Sequence, residues 1–120
     1  MAKLARIAPE IPVSNLRGSI DHYEKRLGFR VTMEMPEGDY AIVERDNVAI
    51  HLFQDDVRNH SPASMHIFTH GLDELYAELQ QRGAHVSQEI VRQPWGNRDF
   101  RVNDPSGNEI KFTETLSEDG

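Results

Sequence analysis

The sequence predicts an α+β fold of two paired βαβββ modules. Three observations carry that expectation. The first is a pair of helical stripes, Leu16, Ile20, Tyr23 and Leu27 in one place and Leu72, Leu75, Tyr76 and Leu79 in another. Each stripe is closed by a glycine, Gly28 and Gly83, at the position where helices commonly end. The second is that each stripe is preceded by one short alternating run and followed by three. The third is a repeat in residue types. Arg26-Leu27-Gly28 resembles Gln81-Arg82-Gly83, and the spacing from Tyr40 to Ile50-His51-Leu52 matches that from Phe100 to Ile110-Lys111-Phe112. An internal repeat sets the architecture before any single element does.

The elements follow in order. Residues 5–13 read as a strand in which Ile7, Ile11 and Val13 share a face with Pro9. Its two prolines, Pro9 and Pro12, assign it to a sheet edge. Asn15 is placed to cap the first helix. Arg30–Met35, Asp39–Arg45 and Val48–Gln54 read as strands joined through Pro36-Glu37-Gly38 and Asp46-Asn47. Module one is therefore expected over residues 1–54, a polar linker over 55–63 and module two over 64–120. In module two the strands are Met65–Thr69, His85–Val91, Arg98–Asn103 and Glu109–Glu114. The last two flank Asp104-Pro105-Ser106-Gly107-Asn108, a turn that Asp104 can cap through its side chain. A four-stranded sheet with one helix on one face leaves the other face for a cleft or another chain.

Composition narrows the function. At 120 residues the chain has room for one domain with a modest core. It has no cysteine, so neither disulfides nor thiol catalysis contribute. No apolar run approaches the roughly 20 residues of a membrane span. No basic, apolar leader opens the chain, which makes the cytoplasm the expected location. The net charge of −7 argues against nucleic acid and suits a neutral or cationic partner, or solubility alone. Gly38, Gly71, Gly83, Gly96 and Gly107 each sit at a separate turn and never as GxGxxG, so no phosphate loop is present. No catalytic set can be read from the residues.

Val13-Ser14-Asn15-Leu16, Tyr23-Glu24-Lys25-Arg26-Leu27-Gly28-Phe29 and Asp104-Pro105-Ser106-Gly107-Asn108 resemble signatures of the glyoxalase/bleomycin-resistance/extradiol dioxygenase superfamily, also called the vicinal oxygen chelate fold. Met1-Ala2-Lys3-Leu4, Pro9, Gly71-Leu72-Asp73-Glu74-Leu75-Tyr76-Ala77-Glu78 and Gln93-Pro94-Trp95-Gly96 resemble its bleomycin-binding resistance proteins. The resemblance covers the whole chain. It implies sequestration of a bleomycin-type glycopeptide, cationic and with a planar tail, in a cleft. It also implies a homodimer, with the first strand a candidate for exchange between chains. The rival classes are a metal-dependent lyase or dioxygenase of the same fold, and a small-molecule sensor or accessory protein.

Metal divides the superfamily. Its ligand positions, carried over residue by residue, fall on Ala8, His51, Ser64 and Lys111. Only His51 could ligate, and a protonated Lys111 has no lone pair to offer. Three or more protein ligands are needed to hold zinc or iron, so no metal and no cofactor are expected. A register shifted by two residues would instead bring Glu10 and His66 beside His51, a two-histidine, one-carboxylate set.

Aromatic residues carry the rest. In the bleomycin-binding proteins a flat aromatic tail lies between two aromatic side chains. Trp95 matches one through Gln93-Pro94-Trp95-Gly96 and Tyr40 matches the other through Asp39-Tyr40-Ala41. The alternative is that both rings only pack an interface. His51 with Phe53, and His66 with Phe68, are expected to wall the cleft, with Phe100 and Arg98 contributing from the adjoining strand.

Overall fold

A computed structural model describes residues 1–115, and the final stretch of the second module lies outside the described residues. Two four-stranded sheets form. In module one β1 (Glu10–Val13), β2 (Arg30–Glu34), β3 (Tyr40–Arg45) and β4 (Val48–Gln54) lie in the order β1-β4-β3-β2. In module two β5 (Ser64–Thr69), β6 (Val86–Arg92), β7 (Arg98–Asn103) and β8 (Glu109–Glu114) lie in the order β5-β8-β7-β6. Helices α1 (Leu16–Leu27) and α2 (Leu72–Gln81) follow the first strand of each module. The repeat read from residue types is thus a repeat of topology. The linker carries one short 3-10 turn, Val57–Asn59.

Local chemistry accounts for the elements. Asn15 Oδ1 accepts from the Gly18 amide, and Gln54 Oε1 accepts from the Leu16 amide, so two orphan donors at the start of α1 are satisfied. Gly28 takes φ 74°, and the chain leaves the helix through the Phe29 amide donating to the Tyr23 carbonyl. A side chain at Gly28 would also collide with the Arg45 guanidinium, 2.8 Å from where its Cβ would stand. Helix α2 has no side-chain cap; Asp73 and Glu74 in its first turn complement the helix dipole instead.

The first strand is shorter than expected. Pairing begins at Glu10, parallel to β4, and Ile7 is 92 % exposed, not part of a buried face. Ile11 and Val13 do enter the core, while Pro12 sits on the sheet edge, where its missing N–H costs no ladder bond.

One apolar core runs through both modules. Ile20, Tyr23 and Leu27 of α1 cluster with Val43, Ile50 and Leu52, and in the same cluster Leu72 and Leu79 of α2 meet Phe100, Val102 and Ile110. Two polar seams join the modules. At one, the β7–β8 turn grips the first module: Asn108 Nδ2 donates to the Pro12 carbonyl and to Asp104 Oδ2, and the Tyr23 hydroxyl also donates to Asp104. Asp104 Oδ1 accepts from the Ser106 and Asn108 amides, the side-chain cap expected from sequence. Burial and the adjacent Asp104 push the Tyr23 hydroxyl well above its ordinary pKa. At the other seam, Arg45 at the end of β3 makes a two-pronged pair with Glu78 of α2, at 2.9 and 2.8 Å, and donates to the Leu27 carbonyl.

Candidate functional site

Each sheet keeps one face away from the helices. In module one that face shows Glu10 and Pro12 from β1, Tyr40, Ile42 and Glu44 from β3, and His51 and Phe53 from β4, as strand alternation and register require. In module two it shows Ser64, His66 and Phe68 from β5, Asp99 and Arg101 from β7, and Lys111 and Thr113 from β8. These faces are only partly covered by the rest of the chain: Pro12, Asp99 and Thr113 are buried, but much of each face stays open. Phe68 is 60 % exposed although it is a large apolar residue in a strand. The whole measures 44 × 43 × 25 Å, a slab.

On the first face three side chains form a hydrogen-bonded chain that the sequence did not suggest. The Tyr40 hydroxyl donates to Glu10 Oε2 at 2.7 Å and lies 2.7 Å from His51 Nδ1. A hydroxyl has one proton and an ionised carboxylate can only accept, so His51 Nδ1 carries the hydrogen and donates to Tyr40. That leaves Nε2 as the acceptor in the neutral ring. The bond to Glu10, with burial adding to it, pushes the Tyr40 phenol up to about 12. The signal in the sequence was the pairing of Glu10 with His51 across two parallel strands, visible only once the register is known.

On the second face His66 and Phe68 stack at 6.1 Å, and His66 Nδ1 bonds Thr113 Oγ1 at 2.8 Å. His51 and Phe53 lie on the open face of the first sheet, and His66 and Phe68 on that of the second. His70 does not share that face, because β5 ends at Thr69; it lines a separate cavity of about 480 Å³ between the modules, floored by Leu27, Phe29, Ile67 and Phe112.

Trp95 sits in the β6–β7 turn, 66 % exposed. The turn is braced: the Gln93 amide donates to the Asn97 carbonyl, Arg92 donates to the Gly96 carbonyl, and the Gln93 side chain holds Asp99. Among the described residues Trp95 has no aromatic neighbour, and Tyr40 meets only His51. One chain does not bring the two rings of the expected clamp together.

Two expected wall residues are corrected. Phe100 is 0 % exposed on the helix side of β7, stacked on Phe112 and edge-on to Tyr76. Its neighbours Asp99 and Arg101 take the opposite side of the strand, Arg101 partly exposed and Asp99 buried beneath the Gln88 and Gln93 amides. Arg98 is on the helix side as well, paired with Glu114 at 2.7 Å and with Asp73 at 3.0 Å. Its role is to tie β7 and β8 to the start of α2.

The register also decides how the residues would suit a metal. Glu10 lies opposite His51 and His66 opposite Lys111, so the alignment shifted by two residues is the one adopted. The donor set still does not fit. Tyr40 takes up Glu10 Oε2 and His51 Nδ1, His66 belongs to the other sheet, and Lys111 presents a cation at the fourth position. Among the described residues no three histidine or acidic side chains gather as a metal would require.

Known proteins share this fold. The chain is 32% identical over 127 aligned positions to a bleomycin resistance protein of Geobacillus stearothermophilus, covering 90% of this chain and 95% of the relative. The solved bleomycin-binding protein of Streptomyces verticillus, in complex with copper(II)-bleomycin, superposes with a TM-score of 0.83 at 22% identity, covering 96% of this chain and 99% of that one. A lactoylglutathione lyase from Agrobacterium tumefaciens superposes at 0.76 with 16% identity over 95% of this chain and 96% of that chain, so the fold is shared with an enzyme too. The model of the Glyoxalase/Bleomycin resistance protein/Dioxygenase superfamily matches residues 3–112, and the chain belongs to that family.

Proposed function

We propose that the protein binds and sequesters a bleomycin-type glycopeptide, without chemistry on it. The observation that carries this reading is the exposed indole of Trp95 on a braced turn, together with the identity to bleomycin resistance proteins. A flat ring held rigidly in solvent suits stacking on a planar group, worth roughly 0.5–1.5 kcal/mol beyond burial. Binding is favoured over catalysis because the metal positions are spent on a hydrogen-bonded chain and a lysine. The exposed acidic groups of the β2–β3 turn, Glu37 and Asp39, attract the drug's cationic part.

The cleft is closed by a second copy. Each open face lacks a cover within one chain, and Tyr40 and Trp95 complete a clamp only when two chains contribute. Strand β1 pairs within its own chain, so the segment available for exchange is the one before it, where Leu4 is 98 % and Ile7 92 % exposed. On this reading the dimer acts in the cytoplasm, keeping the drug from DNA. The test is a titration of the purified protein with metal-free and with copper-bound bleomycin, followed by Trp95 fluorescence. Saturable quenching is expected; fluorescence that stays flat with both forms removes the reading.

A further inference from the structure

The open face of the second sheet carries donors with nothing to donate to. Arg101, Lys111 and His66 form one row across three neighbouring strands, Arg101 opposite Lys111 and Lys111 opposite His66. Directly opposed side chains stand about 4.5–5.5 Å apart at Cβ, and like charges so placed destabilise a sheet. An arrangement that costs stability and is not relieved by partners asks for a ligand.

Partners are lacking in detail. Arg101 donates no hydrogen bond among the described residues, and its Nε is buried with no acceptor. Asp99 lies 3.8 Å from that Nε, beyond hydrogen-bond reach, and its oxygens are already taken by the Gln88 and Gln93 amides. Lys111 is 3.7 Å from Glu109, again too long for a hydrogen bond. His66 spends Nδ1 on Thr113, and its Nε2 has no hydrogen-bond partner among the described residues. The two acids offset the charge of the row without using its donors. Leaving half-buried cationic donors unpaired is costly, and an oxyanion is the group that relieves the cost, since a carboxylate or phosphate takes the planar arginine fork two bonds at a time.

We infer that this row is an oxyanion site: it holds a carboxylate, or a phosphate or sulfate group, of a small molecule at the open face of the second sheet. This goes beyond the binding reading above and does not rest on it, because the cationic groups of a bleomycin-type drug would not fill the row.

The full chain is titrated with inorganic phosphate and, separately, with acetate, at ionic strength held constant with chloride. The Arg101 Nε–H resonance is followed by NMR in the wild type, so the readout does not depend on any variant folding. A saturable shift is expected with at least one anion. Arg101→Gln and Lys111→Met should each weaken binding about tenfold, the loss of a charge-assisted bond, measured by calorimetry. Arg58→Gln, in the linker and paired only with Asp56, should leave binding unchanged. Tighter binding of phosphate assigns a phosphate or sulfate ester; acetate equal or tighter assigns a carboxylate. If Arg101 does not respond to either anion, or both variants bind as the wild type does, the inference is overturned; a partner chain's carboxylates filling the face would give that result. Bleomycin titrated into the same samples separates the two readings. Anion binding without drug binding removes the drug and keeps the site.

Discussion

Asn108→Ala should be among the most damaging single changes in this protein, although it removes no apolar surface. Asn108 is 1 % exposed and uses both amide hydrogens and its carbonyl oxygen. The hydrogens go to the Pro12 carbonyl and Asp104, and the oxygen accepts from the Ala63 amide at 2.8 Å. Three segments, the start of module one, the end of the linker and the β7–β8 turn, are held by one side chain. A net contribution of about 1 kcal/mol per bond gives about 3 kcal/mol. The Ala63 amide and Pro12 carbonyl left without this partner add to that where water cannot reach them, so about 3–4 kcal/mol is expected. At about 2 cal/mol/K of unfolding entropy per residue, that lowers Tm by roughly 12–16 °C. Urea and thermal unfolding monitored by circular dichroism measure both quantities. Asn108→Asp, which keeps the acceptor but adds a carboxylate beside Asp104, should be at least as unstable near neutral pH. A loss under about 1 kcal/mol for Asn108→Ala would refute the idea that this turn clasps the modules.

Three further outcomes are expected. Glu78 is held down to about 2 by Arg45 first and Arg82 second, below its ordinary 4.5. Its folded-state pKa is depressed, so its contribution is complete above pH 4.5 and is lost as pH falls toward about 2; the shift is equivalent to ~3 kcal/mol, which screening at a side chain 35% exposed reduces to about 1–2. Glu78→Gln should therefore destabilise by that amount at neutral pH and not at all near pH 2, as read by urea unfolding across pH. Trp95→Ala should weaken bleomycin binding at least ~30-fold, about 2 kcal/mol, while neutralising Glu37 or Asp39 singly costs under ~1 kcal/mol; equal losses in direct titrations would count against stacking. Tyr40 should ionise near 12 in an NMR pH titration and move back toward 10 in Glu10→Gln, and no movement would break the Glu10–Tyr40–His51 chain.

The parts of the fold written in local pattern were legible. The Leu16 and Leu72 stripes, the Asn15 cap, the Gly28 stop and the Asp104 turn each rest on spacing or on one residue's conformational preference. Strand alternation also put Tyr40, His51, Phe53, His66 and Phe68 on open faces. What alternation leaves undetermined is which of the two faces is open, and there Phe100 misled. An aromatic residue in an alternating strand fits either face, and it was the contact with Tyr76 and Phe112 that settled it. Arg98 misled for the complementary reason, because its partners Asp73 and Glu114 are far apart in the chain. The Glu10–Tyr40–His51 chain needed the parallel register of β1 on β4, a long-range property no single window contains.

The two joints between the modules are of unlike materials. Each is made where a hairpin turn of one half reaches the helix of the other: Asp104 to Tyr23 in one direction, Arg45 to Glu78 in the other. The first is buried and built largely on neutral donors, so salt does not weaken it greatly. The second is an ion pair with a third of its carboxylate in solvent, and salt or acid loosens it. The cavity between the halves is lined by Arg45 and Glu78 and so lies at the weaker joint. The protein is thus a book bound firmly at one end of its spine and latched electrostatically at the other. High salt would loosen the latch while the bound end and the shared apolar core hold.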